Sequence, residues 1–464
     1  MTSRRPADPV PARAVEYAGP GSGGYARATA PHNSSGSQHP ALVAAPRSIQ
    51  GIAEVVRYAA QRGLRVLPQA TGHGAAGEVS DDTIIIDTAG LTGVSIDPAA
   101  RTAQAGAGAT WATVNAAAQR YGLLGLAGSA PDVGVSGYTF GGGVGWLARS
   151  DGMASAALRA VDYVDGRGTV RRAAEDASDP ADRDALWAFR GGGGVGVAAR
   201  LEFGLAQVED LWAGYLLWPV EHLEVVVSAW AAALPRIGPA LATSISVLHA
   251  PPLPPFPDAL RGTPVVHLAL ASPQGPGHAS ALREALAQVP PAAADTWGSA
   301  DAERLGGIHL DPPVAVPALG EGRWLGPGTP SLAAGILSVA AAPASPLSLI
   351  ELRNVDRAGA PGTGAVTTVP GPFLLHAVGL AAAPGGREPL EREIGDVRRA
   401  SAPADLGRSA VSFAEGRPGE ADSLPPADRE RLAAIRTELD PGDVIAASRF
   451  LRDDDGTPGK PAAR

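Results

Sequence analysis

Apolar positions in the N-terminal part of the chain alternate between helical spacing and short continuous runs. Ile49–Gly63 has apolar residues at helical spacing and stops at a glycine, and Trp111–Tyr121 is a second amphipathic helix. Leu64–Pro68 and Thr83–Asp87 are short apolar runs typical of buried strands.

A hairpin and a glycine loop follow. Leu158–Asp165 and Thr169–Arg172 have strand-like patterns separated by a short glycine-containing turn, which predicts an antiparallel pair. Asp184–Phe189 is predicted to be a helical turn, and Val197–Leu205 a strand.

The pattern changes after Gln207, where longer strand-like runs dominate and helical segments lie between them. The predicted strands are Leu211–Trp218, Ala242–His249, Val265–Ala271, Leu347–Val355 and Phe373–Ala381, and the predicted helices are His222–Leu234, His278–Gln288 and Ser331–Ala340. Such a mixture is typical of an α+β domain, with an antiparallel sheet and helices on one face.

The C-terminal region is predicted to contain a charged helix at Leu390–Arg399, a last strand at Ser409–Phe413 and a last helix at Pro425–Leu439. The tail from Asp453 is rich in charge, glycine and proline, and we expect it to be disordered.

Composition excludes several classes of chemistry. The 464 residues suffice for two or three domains, and a net charge of -9 argues against a nucleic-acid-binding surface. The cysteine count is 0, which removes disulfides and thiolate chemistry. The only lysine is Lys460, so a Schiff base on a buried lysine is excluded.

No targeting or membrane segment is evident. Met1–Ala14 contains Arg4 and Arg5, but no apolar stretch follows them, so we expect no signal peptide. No uncharged apolar run is long enough to span a bilayer. A cytoplasmic protein without a membrane partner is the expectation.

Three loops made of small residues adjoin predicted strands, at 69–77, 131–145 and 191–196. Without side chains, backbone N–H groups can approach a pyrophosphate closely. Gly191, Gly193 and Gly196 fit a dinucleotide-binding pattern, but a strand follows them where a Rossmann loop needs a helix. Each loop alone could be an ordinary turn; three in one domain favour a nucleotide cofactor.

Several motifs follow one another in a distinctive order: a helix, a strand, the loop Gln69–His73, a strand that ends in Asp87, and then two glycine segments. The first is Val133-Gly134-Val135-Ser136-Gly137, which continues into Gly141–Gly145, and the second is Trp187–Gly194. This order resembles the FAD-binding domain of the vanillyl-alcohol oxidase / p-cresol methylhydroxylase (PCMH) superfamily, particularly its berberine bridge enzyme-like oxidases.

The resemblance implies an α+β fold with a PCMH-type FAD-binding domain of two α/β subdomains. A second, α+β domain would bind the substrate and roof the flavin with its antiparallel sheet. The implied boundaries are 1–206 for the FAD domain, 207–410 for the substrate domain, and 411–464 for a berberine bridge-like segment that returns to the FAD domain.

The resemblance also implies that FAD is bound covalently, through an 8α-histidyl link to His73. The alternative is a loop histidine that only caps a turn. The loop departs from the family because Gln69 replaces an arginine and Ala70-Thr71 replace smaller residues. Ala130 stands where many relatives have a second, cysteinyl link, so no such link can form.

The FAD-contacting positions transferred from the family lie on these loops and near the C-terminus, and no metal site is implied. They are Gln69, Ala70, Thr71, Gly72, His73, Gly74, Pro131, Val133, Gly134, Gly137, Tyr138, Thr139, Gly142, Gly143, Gly145, Gly194, Val197 and Ser448.

The family's usual catalytic groups are missing. Many relatives have a Tyr-x-Asn motif where this chain has Ala410–Phe413, and Ser448 or a neighbour takes the place of a later asparagine. Alternation along Leu349–Arg353 puts Glu351 and Arg353 on one face of a strand. Glu351 could act as a base with Arg353 beside it; the alternative is a solvated ion pair.

Tyr138 and His376 are further catalytic candidates, although His376 could equally be a core histidine with its hydrogen bonds satisfied. The resemblance implies an FAD-dependent oxidase that passes hydride from a small organic substrate to flavin N5 and then to O2. The small Val133 beside the flavin favours an oxidase. A dehydrogenase with another acceptor, or a non-catalytic flavoprotein, are the alternatives.

Overall fold

The computed structural model describes residues 15–356, 363–382, 385–417, 419 and 421–452. The expectations for Met1–Ala14, Lys460 and the tail from Asp453 lie outside these residues. No helix in the described part of the chain is both long and apolar enough to cross a membrane.

The N-terminal half alternates strands and helices. Its strands are β1 (Val15–Ala18), β2 (Ser37–Gln38), β3 (Leu42–Pro46), β4 (Arg65–Gln69), β5 (Glu78–Val79), β6 (Thr83–Asp87), β7 (Val94–Asp97), β8 (Thr102–Gly106), β9 (Leu123–Leu124), β10 (Leu158–Val164), β11 (Val170–Ala174), β12 (Val197–Gly204) and β13 (Ala206–Gln207). Its helices are α1 (Gly23–Ala28), α2 (Ile49–Arg62), α3 (Trp111–Ala118), α4 (Val135–Phe140), α5 (Ala148–Asp151) and α6 (Pro180–Phe189).

These elements form two α/β units. The first sheet has the order β1-β3-β6-β4, with β3, β6 and β4 parallel, and α2 packs on it through residues such as Ile52 and Val55. Ser48 caps the start of α2, and Gly63 ends it at φ 65, as its sequence predicted. The second sheet is antiparallel, with the order β11-β10-β12-β8-β7, and it contains the predicted hairpin.

Two helices differ from the prediction. Helix α6 begins at Pro180 rather than Asp184, because Asp179 caps it and proline suits the first turn. Helix α4 lies inside the segment 131–145, which was expected to be a loop. Its glycine at position 137 hid the helical pattern, since glycine is a poor helix former.

The C-terminal half is dominated by one large sheet. Its strands are β14 (Trp212–Pro219), β15 (Ala242–His249), β16 (Pro264–Ser272), β17 (Ala294–Asp295), β18 (Gly298–Ser299), β19 (Ala318–Leu325), β20 (Leu347–Asn354), β21 (Phe373–Leu380) and β22 (Asp405–Ser409). The helices are α7 (Leu223–Ala233), α8 (Ser280–Leu286), α9 (Ala302–Gly307), α10 (Thr329–Ser338), α11 (Arg387–Ser401) and α12 (Pro426–Leu439).

This sheet is antiparallel, in the order β17-β14-β16-β15-β20-β21-β19-β22, with β18 also paired to β14. One face packs against α7, α8, α10 and α11 through side chains such as Ile245, Leu268 and Leu352. Because neighbouring residues of a strand point to opposite faces, residues one position away face the N-terminal half. The α+β fold class expected from the sequence is confirmed.

The predicted strand at Ser409–Phe413 is wrong. The strand β22 ends at Ser409, and Val411–Phe413 forms a turn of 3₁₀-helix that the Phe413 N–H closes onto the Ala410 carbonyl. The strand itself contains Asp405, whose carboxylate pairs with Arg323 of β19, so no apolar run marked it. Strand β19 was missed altogether because its glycines interrupt the apolar pattern.

The chain returns to the first sheet near its C-terminus. The Val66 N–H donates to the Val444 carbonyl, and the Ala446 N–H donates to the Val66 carbonyl. The buried Asp440 carboxylate fixes this approach, because it accepts hydrogen bonds from Val444 N at 2.9 Å and Ile445 N at 2.8 Å.

Candidate active site

A row of polar residues crosses the sheet face that lies opposite the helices. His267, Ser246, Glu351 and His376 are direct cross-strand neighbours on β16, β15, β20 and β21. All four are buried. Buried polar groups need partners, so each residue of this row must find a hydrogen bond or an opposite charge within the protein.

Glu351 and Arg353 form a buried ion pair within this face. Arg353 Nε lies 2.9 Å from Glu351 Oε1, and their side chains are 1% and 0% exposed. The Ser244 hydroxyl also donates to Glu351. Burial would raise the pKa of Glu351, but Arg353 and His309 outweigh it and hold that pKa well below its usual value. The solvated pair considered from the sequence is therefore wrong, because the pair is enclosed.

The same arginine joins the two halves of the molecule. Arg353 Nη1 donates to the Val144 carbonyl at 3.3 Å, and its guanidinium lies 4.7 Å from the centre of the Trp146 ring. That distance is within the range of a cation–π contact. The charged face of the sheet thus touches the 141–145 glycine loop.

His309 completes the network, and nothing in the sequence analysis singled it out. Its Nδ1 lies 2.7 Å from Asp311 Oδ1, and its Nε2 lies 3.2 Å from Glu351 Oε2. Burial would lower the pKa of His309, but Asp311 and Glu351 outweigh it and raise that pKa to about 10. The imidazole is therefore a buried cation. The only sequence signal was a histidine two residues before an aspartate, in a proline-rich loop.

His376 is held by a different carboxylate. Its Nε2 lies 3.0 Å from Glu415 Oε2, while its buried Nδ1 has no hydrogen-bond partner among the described residues. Burial would raise the pKa of Glu415, but His376 outweighs it and lowers that pKa. The same ring also faces a second carboxylate, because its Nδ1 lies 3.9 Å from Glu351 Oε2.

The three glycine loops meet around α4. At its start, a Cβ on Gly134 would lie 3.3 Å from the Ala70 side chain. At its end, the Gly193 N–H donates to the Phe140 carbonyl at 3.0 Å. The Ser448 hydroxyl donates to the Gly192 carbonyl at 3.0 Å, which adds the C-terminal segment to the group.

The proposed FAD-contacting side chains are of two kinds. Several are already engaged within the protein: Gln69 hydrogen bonds to Gln38, Ser448 to Gly192, and Val197 is buried in the core of the first sheet. In contrast, Tyr138 Oη and Thr139 Oγ1 are buried without a partner in the described part of the chain. Burial raises the pKa of Tyr138, so its hydroxyl stays protonated and can donate.

Glycine conformation differs along these loops. Gly142 and Gly143 have φ of 101 and 68, which favour glycine, but a Cβ on Gly143 would lie 2.6 Å from the Tyr138 ring. Gly137 and Gly74 instead have nothing within 4 Å of a Cβ, and only the Gly196 carbonyl lies near Gly194. The open positions are the ones that a bound group could approach.

His73 lies at the other end of the loop cluster. Its ring stacks on His32 with centroids 3.6 Å apart, and its Nε2 lies 3.3 Å from Asp132 Oδ1. Burial and, next, His32 lower the pKa of His73. Asp132 follows Pro131 and precedes Val133, two of the positions transferred from the family.

A cavity of about 340 Å³ opens beside the glycine loops, between the two halves. Its walls include Gly141, Val144, Trp324, Ser412 and Phe413. Ser412 and Phe413 belong to the segment where relatives have Tyr-x-Asn, so the chain presents one hydroxyl and one apolar ring there.

Comparison with known proteins accounts for this geometry. Residues 40–174 match the family model described as an FAD binding domain. The (R)-6-hydroxynicotine oxidase of Paenarthrobacter nicotinovorans is 30% identical over 184 residues, 39% of each chain. Berberine bridge enzyme-like 23 of Arabidopsis thaliana is 30% identical over 165 residues, 34% of this chain and 30% of that one. The aligned parts thus span less than half the length of these relatives.

The likeness in three dimensions extends further. The crystal structure of 6-hydroxy-D-nicotine oxidase from Arthrobacter nicotinovorans superposes with a TM-score of 0.77 at 22% identity, covering 92% of this chain and 95% of that one. The chain therefore contains an FAD-binding domain at residues 40–174, and the chain as a whole shares the fold of this oxidase structure. The resemblance inferred from the sequence is confirmed for that domain and for the fold.

The residues of the FAD domain fit its cofactor. The open surroundings of Gly137 and Gly74 leave space for a polar group beside the loops, and the buried Tyr138 hydroxyl behind them has no hydrogen-bond partner among the described residues. When bound, FAD accepts hydride equivalents at its ring.

The buried cation predicts a pH-dependent stability. The folded-state pKa of His309 is raised to about 10, so its contribution to stability is complete below its ordinary pKa of about 6.5 and declines up to about pH 10. We expect the melting temperature of His309→Asn to fall furthest below wild type near pH 6, and the gap to narrow by about pH 10. The exposed His39→Asn is the control; a gap that widens with pH would contradict the assignment.

The open position of Gly137 predicts a loss of FAD binding without a loss of fold. In Gly137→Val the added Cβ projects into space where, apart from the adjoining helix backbone, no protein atom lies within 4 Å. We expect the dissociation constant for FAD to rise at least about tenfold, which corresponds to about 1.4 kcal/mol. Gly335→Val is the matched control, since Gly335 also lies in a helix with open surroundings. An unchanged dissociation constant in Gly137→Val would show that FAD does not approach this helix.

Proposed function

We propose that this protein is an FAD-dependent oxidase of a small organic molecule. The observation that carries the proposal is the junction of the two halves, where the FAD domain meets a buried, charged sheet face. Arg353 spans this junction with its 3.3 Å contact to Val144. A non-catalytic flavoprotein would have no need to bury Glu351, His309 and His376 together on that face.

The choice of oxidase rests on two supports. The (R)-6-hydroxynicotine oxidase, which matches over the FAD domain, is an oxidase by name, and O2 is the acceptor that an oxidase uses. Val133 is a small, half-buried side chain in the second glycine loop, 131–145. Bound FAD supplies the electron chemistry by taking a hydride from the substrate and passing two electrons to O2.

Within this site we assign the base to His376. Glu415 orients the imidazole through Nε2, and Nδ1 makes no hydrogen bond to a described residue, with Glu351 Oε2 3.9 Å away. The ring packs against Phe413, which lines the cavity. An imidazole is an effective base near neutral pH. Glu351 is the weaker choice, because Arg353 and His309 lower its pKa and occupy its oxygens.

The cofactor link is assigned to His73. The imidazole is half-buried, its pKa is lowered by burial and by His32, and it is therefore a neutral nucleophile near pH 7. Its Nε2 faces Asp132 at 3.3 Å without a hydrogen bond of good geometry, and the described residues place no hydrogen-bond partner on its Nδ1. A histidine that merely capped a turn would donate or accept a local backbone hydrogen bond.

A covalent bond between His73 and FAD would add the mass of FAD to the denatured protein. We expect denatured wild-type protein to carry one FAD per chain after acid precipitation, and His73→Ala to lose it while still binding FAD reversibly. Intact-protein mass spectrometry, with the visible spectrum of the native protein, measures both properties. A yellow wild type whose mass equals that of the bare chain would refute the link and leave FAD binding standing; a colourless protein would refute the proposed function.

If His376 is the base, replacing it should slow flavin reduction by the substrate and leave flavin reoxidation by O2 nearly unchanged. A peroxide-coupled screen of alcohols, sugars and amines supplies the substrate, and rapid mixing then follows flavin reduction. We expect His376→Gln to slow reduction by roughly 10²–10⁴-fold, the usual contribution of a positioned base. Reoxidation by O2 and FAD content should be nearly unchanged, since neither step uses this base.

Two comparisons make this test specific. His249→Gln is the matched control, because His249 lies at the end of β15, with Nε2 hydrogen bonded to the Ala340 carbonyl. It should reduce at the wild-type rate. If Glu351→Gln slows reduction strongly while His376→Gln does not, the base assignment belongs to Glu351 instead.

A further inference from the structure

We propose that Asp132 and His32 are positioning residues that prepare His73 for bonding to the flavin. This inference rests on the proposed histidyl link. The observation behind it is an arrangement of three side chains in which one carboxylate spans two stacked imidazoles. Asp132 Oδ1 lies 3.3 Å from Nε2 of His73, and Oδ2 lies 3.6 Å from Nε2 of His32.

The backbone holds His32 against the His73 loop. The His32 N–H donates to the Thr71 carbonyl at 3.0 Å, and the Asn33 N–H donates to the Gly72 carbonyl at 3.1 Å. A Cβ on Gly72 would lie 2.4 Å from the Pro31 Cβ, so only glycine lets the two segments approach this closely. The stacking at 3.6 Å and 13° between ring planes follows from this backbone pairing.

Asp132 is fixed independently, from the other side. The Trp111 N–H donates to the Val133 carbonyl, and the Ala112 N–H donates to the Pro131 carbonyl at 2.7 Å. These bonds anchor both neighbours of Asp132 to the start of α3. The carboxylate is half exposed, but it faces Nε2 atoms that are themselves buried and lack a hydrogen-bond partner of good geometry.

This placement selects one tautomer of His73. A carboxylate accepts protons and does not donate them, so Asp132 favours the form of His73 with its proton on Nε2. The lone pair of Nδ1 is then available to form a bond. His32 adds a second effect, because two imidazoles stacked this closely resist double protonation.

A metal ion is a poorer explanation of the same cluster. The donor atoms of His32, His73 and Asp132 lie within 4.8 Å of one another, as in a zinc site. Zinc, however, requires ligand lone pairs that converge on one point. Rings only 13° from parallel direct their Nε2 lone pairs side by side, so a shared ion would lie out of both ring planes.

Formation of the bond between His73 and FAD is an oxidation, and dioxygen is its final oxidant. The bond forms between His73 Nδ1 and the 8α carbon of FAD, and one C–H bond of that methyl group breaks. The Nε2 proton of His73 passes to Asp132, and the methyl proton passes to water. The released electron pair reduces the flavin ring by two electrons, and O2 takes them with two protons to give hydrogen peroxide.

The test measures the rate of linkage in full-length protein produced without riboflavin and then mixed with FAD. Covalent flavin is followed by fluorescence in denaturing gels. We expect Asp132→Ala to link at least about tenfold more slowly than wild type, equivalent to about 1.4 kcal/mol in the barrier. Asp132→Glu should recover part of the rate. The exposed Asp81→Ala is the charge-matched control and should link normally.

Two readouts separate this role from binding and folding. The dissociation constant for FAD should be the same in His73→Ala and in His73→Ala with Asp132→Ala, because neither protein can form the link. Nitrogen NMR of His73 in the FAD-free proteins, before any link can form, should show the Nε2–H tautomer in wild type and a larger Nδ1–H population in Asp132→Ala. Wild-type linkage rates in Asp132→Ala would overturn this inference and leave the link intact, whereas a wild type that never links would refute the link itself.

Discussion

The charges buried between the two halves constrain the rest of the site. Glu351 and Arg353 are almost fully enclosed, and removing one partner of a buried ion pair costs about 3–5 kcal/mol. The positions of their neighbours are therefore restricted. His309 must stay near Glu351, and the 141–145 loop must keep the Val144 carbonyl turned toward Arg353. The large C-terminal sheet and the FAD domain are thus held together by electrostatic complementarity as well as by apolar packing.

The buried histidines differ in how many carboxylates they are paired with. Groups paired on both sides, such as His309 between Asp311 and Glu351, are locked into one charge state and provide a fixed field. His376 lies between two carboxylates but is hydrogen bonded to only one of them, with Glu415 at 3.0 Å from Nε2 and Glu351 at 3.9 Å from Nδ1. His73 faces one carboxylate, that of Asp132, at 3.3 Å from Nε2.

Strands in the middle of the large sheet were predictable, whereas a strand crowded by a distant part of the chain was missed. Strands β15, β16, β20 and β21 lie in the middle of the sheet, and the apolar residues that recur along them predicted them. Strand β19 contains Gly320 and Gly322, and a Cβ on Gly322 would lie 2.6 Å from the Phe413 Cβ. Glycine is needed there by a neighbour distant in sequence, so the local pattern alone suggested a break.

The sequence by itself determined the FAD domain, because the order of its loops, strands and glycines is a local property that identifies the family. It also put Glu351 and Arg353 on one face of a strand, since side chains alternate along any strand. Only the tertiary structure decided which groups surround them. His309, Glu415, His32 and Asp132 come from segments far apart in the chain, and hydrogen bonds and ion pairs form through space. Whether a histidine is a cation, a base or a nucleophile depends on those partners and on burial, neither of which is encoded within a local stretch of residues.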